Sequence, residues 1–292
     1  MTKIPSSPHF LASEIPQPNP QDALFHIIPA PYERSVSYGT GTARGPAAIL
    51  ESSQQLELFD GTSIPAEQGI RTHPAINCEG EPDAVLGKIK EAVASVLAFE
   101  KIPVLLGGEH TVSVGAFGAI KEKIKNVGII QFDAHADLRD TYDGTPNSHA
   151  CVMRRAMDLK IPFFQIGVRS LSYEEHLLRG EKRIPHLDAS TLHETEIPLQ
   201  ILPADFPENI YITFDVDALD PSIMPATGTP DPGGLTWHQT FQLLERIVSA
   251  RQVIGFDVVE LAPIKGVHFP EFTVARFVYN LMGLITRKLE NS

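Results

Sequence analysis

The 292-residue chain carries only two cysteines, Cys78 and Cys151, which excludes a disulfide framework and makes a reducing cytoplasm its simplest location. It has no apolar run near the roughly 20 residues that span a bilayer, so a membrane partner is not expected. Its first 22 residues are polar and proline-rich and lack a basic segment followed by an apolar one, so they do not form a secretory signal. They read as a loose arm (1–22) ahead of one domain (23–292). Positive charge is also short. With 24 Lys and Arg against 36 Asp and Glu the formal net charge is −12, which argues against a nucleic-acid partner. An acidic chain suits a small cationic substrate, although acidity also serves solubility alone. There is no internal repeat and no low-complexity block. The glycines of Tyr38-Gly39-Thr40-Gly41-Thr42-Ala43-Arg44-Gly45 do not match the strand–GxGxxG–helix pattern of dinucleotide sites.

What is present is an alternation of short apolar runs and helical periodicity. Strands are expected at Leu24–Ile28 (stopped by Pro29 and Pro31), Ile102–Leu106, Val127–Phe132, Phe163–Ile166, Ile210–Phe214 and Val253–Val258. Val85, Ile89, Val93 and Val96 recur at helical spacing over 83–99, and further helices are expected at 112–125, 237–249 and 273–289. A strand, a helix and a strand in succession imply a parallel sheet with right-handed crossovers, so one doubly wound α/β domain is the economical reading. Residues 138–150 and 218–236 are long loops for such a fold, and loops of that length at strand ends often carry function.

The densest chemistry is Gln131-Phe132-Asp133-Ala134-His135-Ala136-Asp137. Extended backbone sends alternate side chains to one side, so Asp133, His135 and Asp137 can converge. Grouped carboxylates repel one another unless a cation lies between them. In open parallel sheets, sites form beyond the carboxyl ends of the strands. Two more strands here end in ligand-type residues, His110 after 102–106 and Asp215 with Asp217 after 210–214. Taken alone, His110 reads as a packed or solvated histidine, and Asp215-Val216-Asp217 as a turn or a helix cap. Together the six residues hold more carboxylates than one divalent ion uses, and two ions with shared carboxylates would engage them all. Two imidazoles, four carboxylates and no thiolate suit Mn²⁺ better than structural Zn²⁺, with Co²⁺, Ni²⁺ and Zn²⁺ as competitors. Two such ions favour hydrolysis.

Gly107-Gly108-Glu109-His110, Phe132-Asp133-Ala134-His135-Ala136-Asp137 and Thr213-Phe214-Asp215-Val216-Asp217-Ala218-Leu219-Asp220-Pro221 closely resemble the three metal-binding signatures of the ureohydrolases, the family of arginase and agmatinase. The resemblance runs from about residue 24 to the C-terminal helix. It implies a three-layer α/β/α fold around a mostly parallel eight-stranded sheet, and a two-manganese cluster. His110, Asp133, Asp137 and Asp215 would hold one ion, and Asp133, His135, Asp215 and Asp217 the other. It also implies that a hydroxide bridging the two Mn²⁺ ions attacks a guanidinium carbon, that His149 passes a proton to the leaving amine, and that Glu260 grips the guanidinium through a planar ion pair. Family members are trimers or hexamers, so a homo-oligomer is expected.

Between the second signature and His149, residues 138–148 lack the Ser/Thr/Asn-rich pattern by which arginases recognise an α-amino acid. The Asp137-Leu138-Arg139-Asp140 and Ser148-His149-Ala150-Cys151-Val152-Met153-Arg154-Arg155 segments resemble bacterial and archaeal agmatinases. Agmatine, hydrolysed to putrescine and urea, is therefore the expected substrate. Its distal amine would meet Asp140 or Asp143, unless both are simply solvated. Arginine, guanidinobutyrate and formimidoylglutamate are the other family substrates, and a non-catalytic metal-binding regulator is the alternative outside enzymology.

Overall fold

The computed structural model describes residues 8–291. Its strands are β1 (Phe25–Ala30), β2 (Ile70–Thr72), β3 (Ile102–Gly107), β4 (Val127–Phe132), β5 (Phe163–Ile166), β6 (His186–Leu187), β7 (Asn209–Asp215) and β8 (Gln252–Val259). Its helices are α1 (Gly45–Ser52), α2 (Pro82–Leu97), α3 (Val112–Lys123), α4 (Val152–Asp158), α5 (Tyr173–Lys182), α6 (Ala189–Glu194), α7 (Trp237–Ala250) and α8 (Phe269–Glu290). The eight strands form one sheet in the order β2-β1-β3-β8-β7-β4-β5-β6, and every pairing is parallel.

Every residue of β1, β3 and β4 is buried, as expected of a sheet covered on both faces, which is why these strands read as continuous apolar runs. Alternate side chains feed two cores. Ile27, Leu106, Ile130, Ile212 and Phe256 pack with α1, α7 and α8, while Ile28, Leu105, Ile129 and Tyr211 pack with α2, α3 and α4. The three-layer α/β/α fold expected from the sequence is therefore the observed one. α7 begins at a capping box in which Thr236 and Gln239 satisfy each other's backbone N–H groups.

Three expectations need correction. β1 continues through Pro29, because the side of that residue lacking an N–H lies beyond the last β2 pairing at Ile27↔Thr72, where no ladder bond is required. β2 and β6 had no signal of their own, since they are only 3 and 2 residues long and pair with a neighbour on one side alone. The arm is not loose where it is described. Phe10 and Leu11 are fully buried, and their N–H groups donate to Thr72 Oγ1 and Ser53 Oγ, both at 3.0 Å. Residues 1–7 lie outside the described part of the expected arm.

A histidine pair, His26 buried and His73 half-buried, ties this strap to the sheet. His26 Nε2 lies 3.1 Å from the Pro20 carbonyl oxygen, to which it donates, so His26 Nδ1 accepts from His73 Nε2 at 2.8 Å. Burial and then the neighbouring His73 lower the His26 pKa to about 4, and burial lowers that of His73. The unfolded chain therefore takes up protons near pH 6.5 that the folded chain refuses, so stability is complete above that pH and is lost as pH falls towards 4. Thermal unfolding of the wild type across that window should show a loss of at most about 3 kcal/mol that is absent from the His26→Asn variant. Parallel pH dependence in the two proteins would refute this.

Candidate active site

Four adjacent strands at the centre of the sheet, β3, β8, β7 and β4, end on one rim. His110 follows β3, Glu260 follows β8, Asp215 closes β7 with Asp217 in the next turn, and Asp133, His135 and Asp137 follow β4. The β3 exit needs glycine, because a Cβ on Gly108 would stand 2.0 Å from the Tyr32 carbonyl oxygen. Asp137 (φ 53°) and Glu260 (φ 65°) occupy the left-handed region despite their side chains. That costs on the order of 1 kcal/mol each. Hydrogen bonds hold both. Glu260 N–H donates to the Gly108 carbonyl at 2.8 Å, and Met153 and Arg154 donate to the Asp137 carbonyl at 3.0 and 3.1 Å.

His110 Nδ1 lies 3.2 Å from Asp133 Oδ2, 3.0 Å from Asp137 Oδ2 and 3.4 Å from Asp215 Oδ2. His135 Nδ1 lies 3.0 Å from Asp217 Oδ2 and 3.5 Å from Asp133 Oδ1. Two groups capable of holding an ion result, His110–Asp133–Asp137 and Asp133–His135–Asp217, each with its ligand atoms within 4.8 Å of one another. Asp133 belongs to both. Asp215 joins the cluster through His110, and its Oδ1 accepts the Asp217 N–H at 2.9 Å.

Burial and the charge of Asp133 push the Asp137 carboxyl up to about 7. Burial, with Asp217 and Asp133, raises Asp215 well above the carboxylate range. Burial would raise Asp133 too, but hydrogen bonding to His110 and His135 holds it far below. Burial opposes charge on the imidazoles, yet Asp217 and Asp133 lift His135 to about 12, and the three carboxylates around His110 raise it well above its ordinary value. Protons thus stand in for positive charge that the donor set is built to receive.

The second shell agrees. Thr213 donates its hydroxyl proton to Asp257 Oδ1 at 2.7 Å, so its oxygen accepts from His110 Nε2 at 2.9 Å and leaves Nδ1, which faces the three carboxylates, as the atom that would bind an ion in place of its proton. The donor set therefore fits divalent ions of the Mn²⁺ to Zn²⁺ series.

The rim opens into a cavity of about 330 Å³, mouth included, onto which Glu260 and His149 also face. It shares His135, Asp137 and His149 with an outer cleft of about 750 Å³ that reaches Arg139, Tyr142 and Glu175.

A sequence pattern of the Arginase family matches residues 23–283. The chain belongs to the arginase family. A relative from Synechocystis sp., named N(1)-aminopropylagmatine ureohydrolase, is 36% identical over 276 residues, which span 90% of this chain and 89% of the relative. The agmatinase of Pyrococcus horikoshii is 30% identical over 94% of this chain and 96% of its own length. The agmatine ureohydrolase of Thermoplasma volcanium has the same fold, with a TM-score of 0.85 at 26% identity over 96% of this chain and 95% of its own. This arginase-family chain is thus a ureohydrolase, a hydrolase of guanidino compounds. The family depends on a binuclear metal cluster, and the two acid–histidine groups are the candidate residues for it here.

Asp140 and Asp143 fall outside the cavity. Asp140 is paired with Arg155 at 2.7 Å, and Asp143 is an exposed turn residue. Glu175, which lines the outer cleft, was missed because its sequence context is only that of a helix start. Asp257 had a usable signal, a carboxylate inside the apolar run Phe256-Asp257-Val258. Cys151 is fully buried and burial pushes its thiol up to about 11, which disfavours the thiolate that a cysteine nucleophile needs.

Like-charge crowding makes a simple demand. Folding without metal forces the Asp215 carboxyl to hold a proton against its ordinary pKa, so Asp215→Asn, whose amide does not titrate, should raise the melting temperature of the metal-free ureohydrolase by about 2–4 °C, roughly 1 kcal/mol for a chain of this size. In saturating Mn²⁺ the order should reverse, with Asp215→Asn melting below the wild type. Calorimetry of both proteins with and without metal decides it, and a lower melting temperature for the metal-free variant would count against repulsion at this site.

Proposed function

We propose that this ureohydrolase hydrolyses agmatine to putrescine and urea, with His110, Asp133, His135, Asp137, Asp215 and Asp217 holding two Mn²⁺ ions. The observation that carries this reading is one cavity shared by five of the six ligand residues, the buried Glu260 and His149. When bound, the ions supply a water-derived nucleophile at neutral pH and Lewis-acid polarisation. Everything else falls to the protein. Burial, with Glu109 nearby, raises the Glu260 pKa well above the carboxylate range, so a cation at Glu260 relieves a real electrostatic cost. Its Oε1 accepts the His110 N–H at 2.6 Å, which holds the carboxylate on the rim for a planar guanidinium. His149 supplies the proton exchange that turns the departing nitrogen into a neutral amine.

The outer cleft suits a cationic tail rather than an α-amino acid. Arg139, its one Arg or Lys, is turned over the Tyr142 ring at 5.4 Å and towards Glu175 at 3.9 Å, so it is not free to receive a carboxylate. A second reading has its own support. The Synechocystis relative carries the name of the aminopropyl derivative of agmatine, and the cleft beyond His149 has volume for a longer tail. A homo-oligomeric, cytoplasmic enzyme accompanies either reading.

Urea release by the Mn²⁺-loaded protein should be measured with agmatine, N(1)-aminopropylagmatine, arginine, guanidinobutyrate and formimidoylglutamate. Agmatine should give the largest kcat/KM. A clear preference for the aminopropyl compound would select the second reading, and turnover of none would favour the non-catalytic regulator. Glu260→Gln should raise KM for agmatine at least about 10-fold, and His149→Ala should lower kcat about 100-fold or more.

A further inference from the structure

His149 belongs to a loop, yet its ring is held from several directions. Ser148 Oγ lies 3.4 Å from Nδ1, and the Tyr142 ring meets the imidazole edge-on at 5.6 Å and 75°. The informative neighbour is Ser35, 114 residues away in sequence. Its hydroxyl donates to Glu109 Oε1 at 2.7 Å, so its only proton is committed. What the oxygen offers His149 is lone pairs, one accepting the His149 backbone N–H at 3.1 Å and the other 3.2 Å from Nδ1. An oxygen that can only accept requires the ring hydrogen on Nδ1. Ser148 can accept as readily as donate and does not oppose this. Nε2 makes no hydrogen bond to the described residues, and His149 lines both the metal-side cavity and the outer cleft.

Glu109 is fixed in turn. It is fully buried, and it also accepts the N–H groups of Arg34 (2.5 Å) and Ser35 (2.6 Å) and the Thr111 hydroxyl (2.6 Å). The loop carrying Ser35 is therefore bolted to the residue that precedes His110.

We propose that Glu109 and Ser35 are positioning residues that lock the His149 imidazole in one tautomer, with its hydrogen on Nδ1 and its lone pair on Nε2. The inference rests on the reading of His149 as the proton-transfer group. A neutral ring held this way takes a proton at Nε2 and gives it to the departing nitrogen from the same atom, which returns it to its starting tautomer. The opposite tautomer would present the cleft with an N–H and no base. Burial lowers the His149 pKa, with Glu109 opposing, so the neutral ring is the resting form near pH 7.

In the Mn²⁺-loaded enzyme, Ser35→Ala should lower kcat for urea release about 10- to 100-fold with KM within about threefold, and Ser35→Thr, which keeps the hydroxyl, should recover most of it. Neutron diffraction from crystals of the metal-loaded wild type at about pH 8, above the ordinary imidazole pKa, should show a deuteron on His149 Nδ1. An Nδ1 without a deuteron overturns the proposal, whether or not the Ser35 variants fold. So does a Ser35→Ala enzyme with wild-type kcat in which His149→Ala is inactive. If His149→Ala itself turns over normally, the proton-transfer reading fails instead, and the deuteron still decides the tautomer.

Discussion

Four carboxylates buried within reach of one another at the edge of a sheet are the constraint on which the rest of this molecule depends. Left to themselves they would separate or draw in water. Asp133, Asp215 and Asp217 are pinned instead by neutral donors, the Asp217 N–H holding Asp215. Ala134 N–H donates to Asp217 Oδ1 at 3.0 Å, His135 N–H to Asp133 Oδ1 at 2.6 Å, and Gln131 Nε2 to Asp133 Oδ2 at 2.8 Å. These donors sit on strands and strand ends with apolar cores on both faces, so the site cannot relax by bending its frame. A parallel sheet suits this task, because adjacent strands all present their carboxyl ends to the same rim.

From that centre outward the fixing changes character. Strand ends position the cluster and Glu260, whereas His149 comes from a loop and depends on Ser35, which Glu109 ties to the residue preceding His110. The loop contribution is thus referenced to the metal-side rim even though its backbone arrives from far along the chain. Further out, Arg139 is offset by Glu175 and stacked on Tyr142, so the outer cleft presents its aromatic and polar lining rather than a free cation. Negative charge deep in the cavity and no unopposed positive charge above it favour a guanidinium head with an alkyl tail.

Much was legible from local sequence. The six longer strands appear as apolar runs, and their boundaries differ from the observed ones by about two residues at most, since burial on both faces leaves no polar alternation to misread. The ligand residues stand directly after those runs, where the period-2 spacing of Asp133, His135 and Asp137 survives folding. β2 and β6 were silent because 2 or 3 residues at an edge take their conformation from a neighbour. The arm misled for a related reason, as Phe10 and Leu11 are too few to form a pattern, and only the surfaces presented by Ser53, Thr72 and Tyr279 make their burial favourable.

The sequence by itself determined which side chains end each strand, and therefore the type of chemistry, because an apolar run followed by Asp or His needs no tertiary information to be read. Tertiary structure alone decided that β3, β8, β7 and β4 lie side by side. It also decided that Glu109 holds Ser35 against His149, and that Asp140 turns away to Arg155. The physical reason is separation along the chain. Hydrogen bonds across gaps such as the 114 residues from Ser35 to His149 depend on how whole layers pack, and no local pattern encodes that.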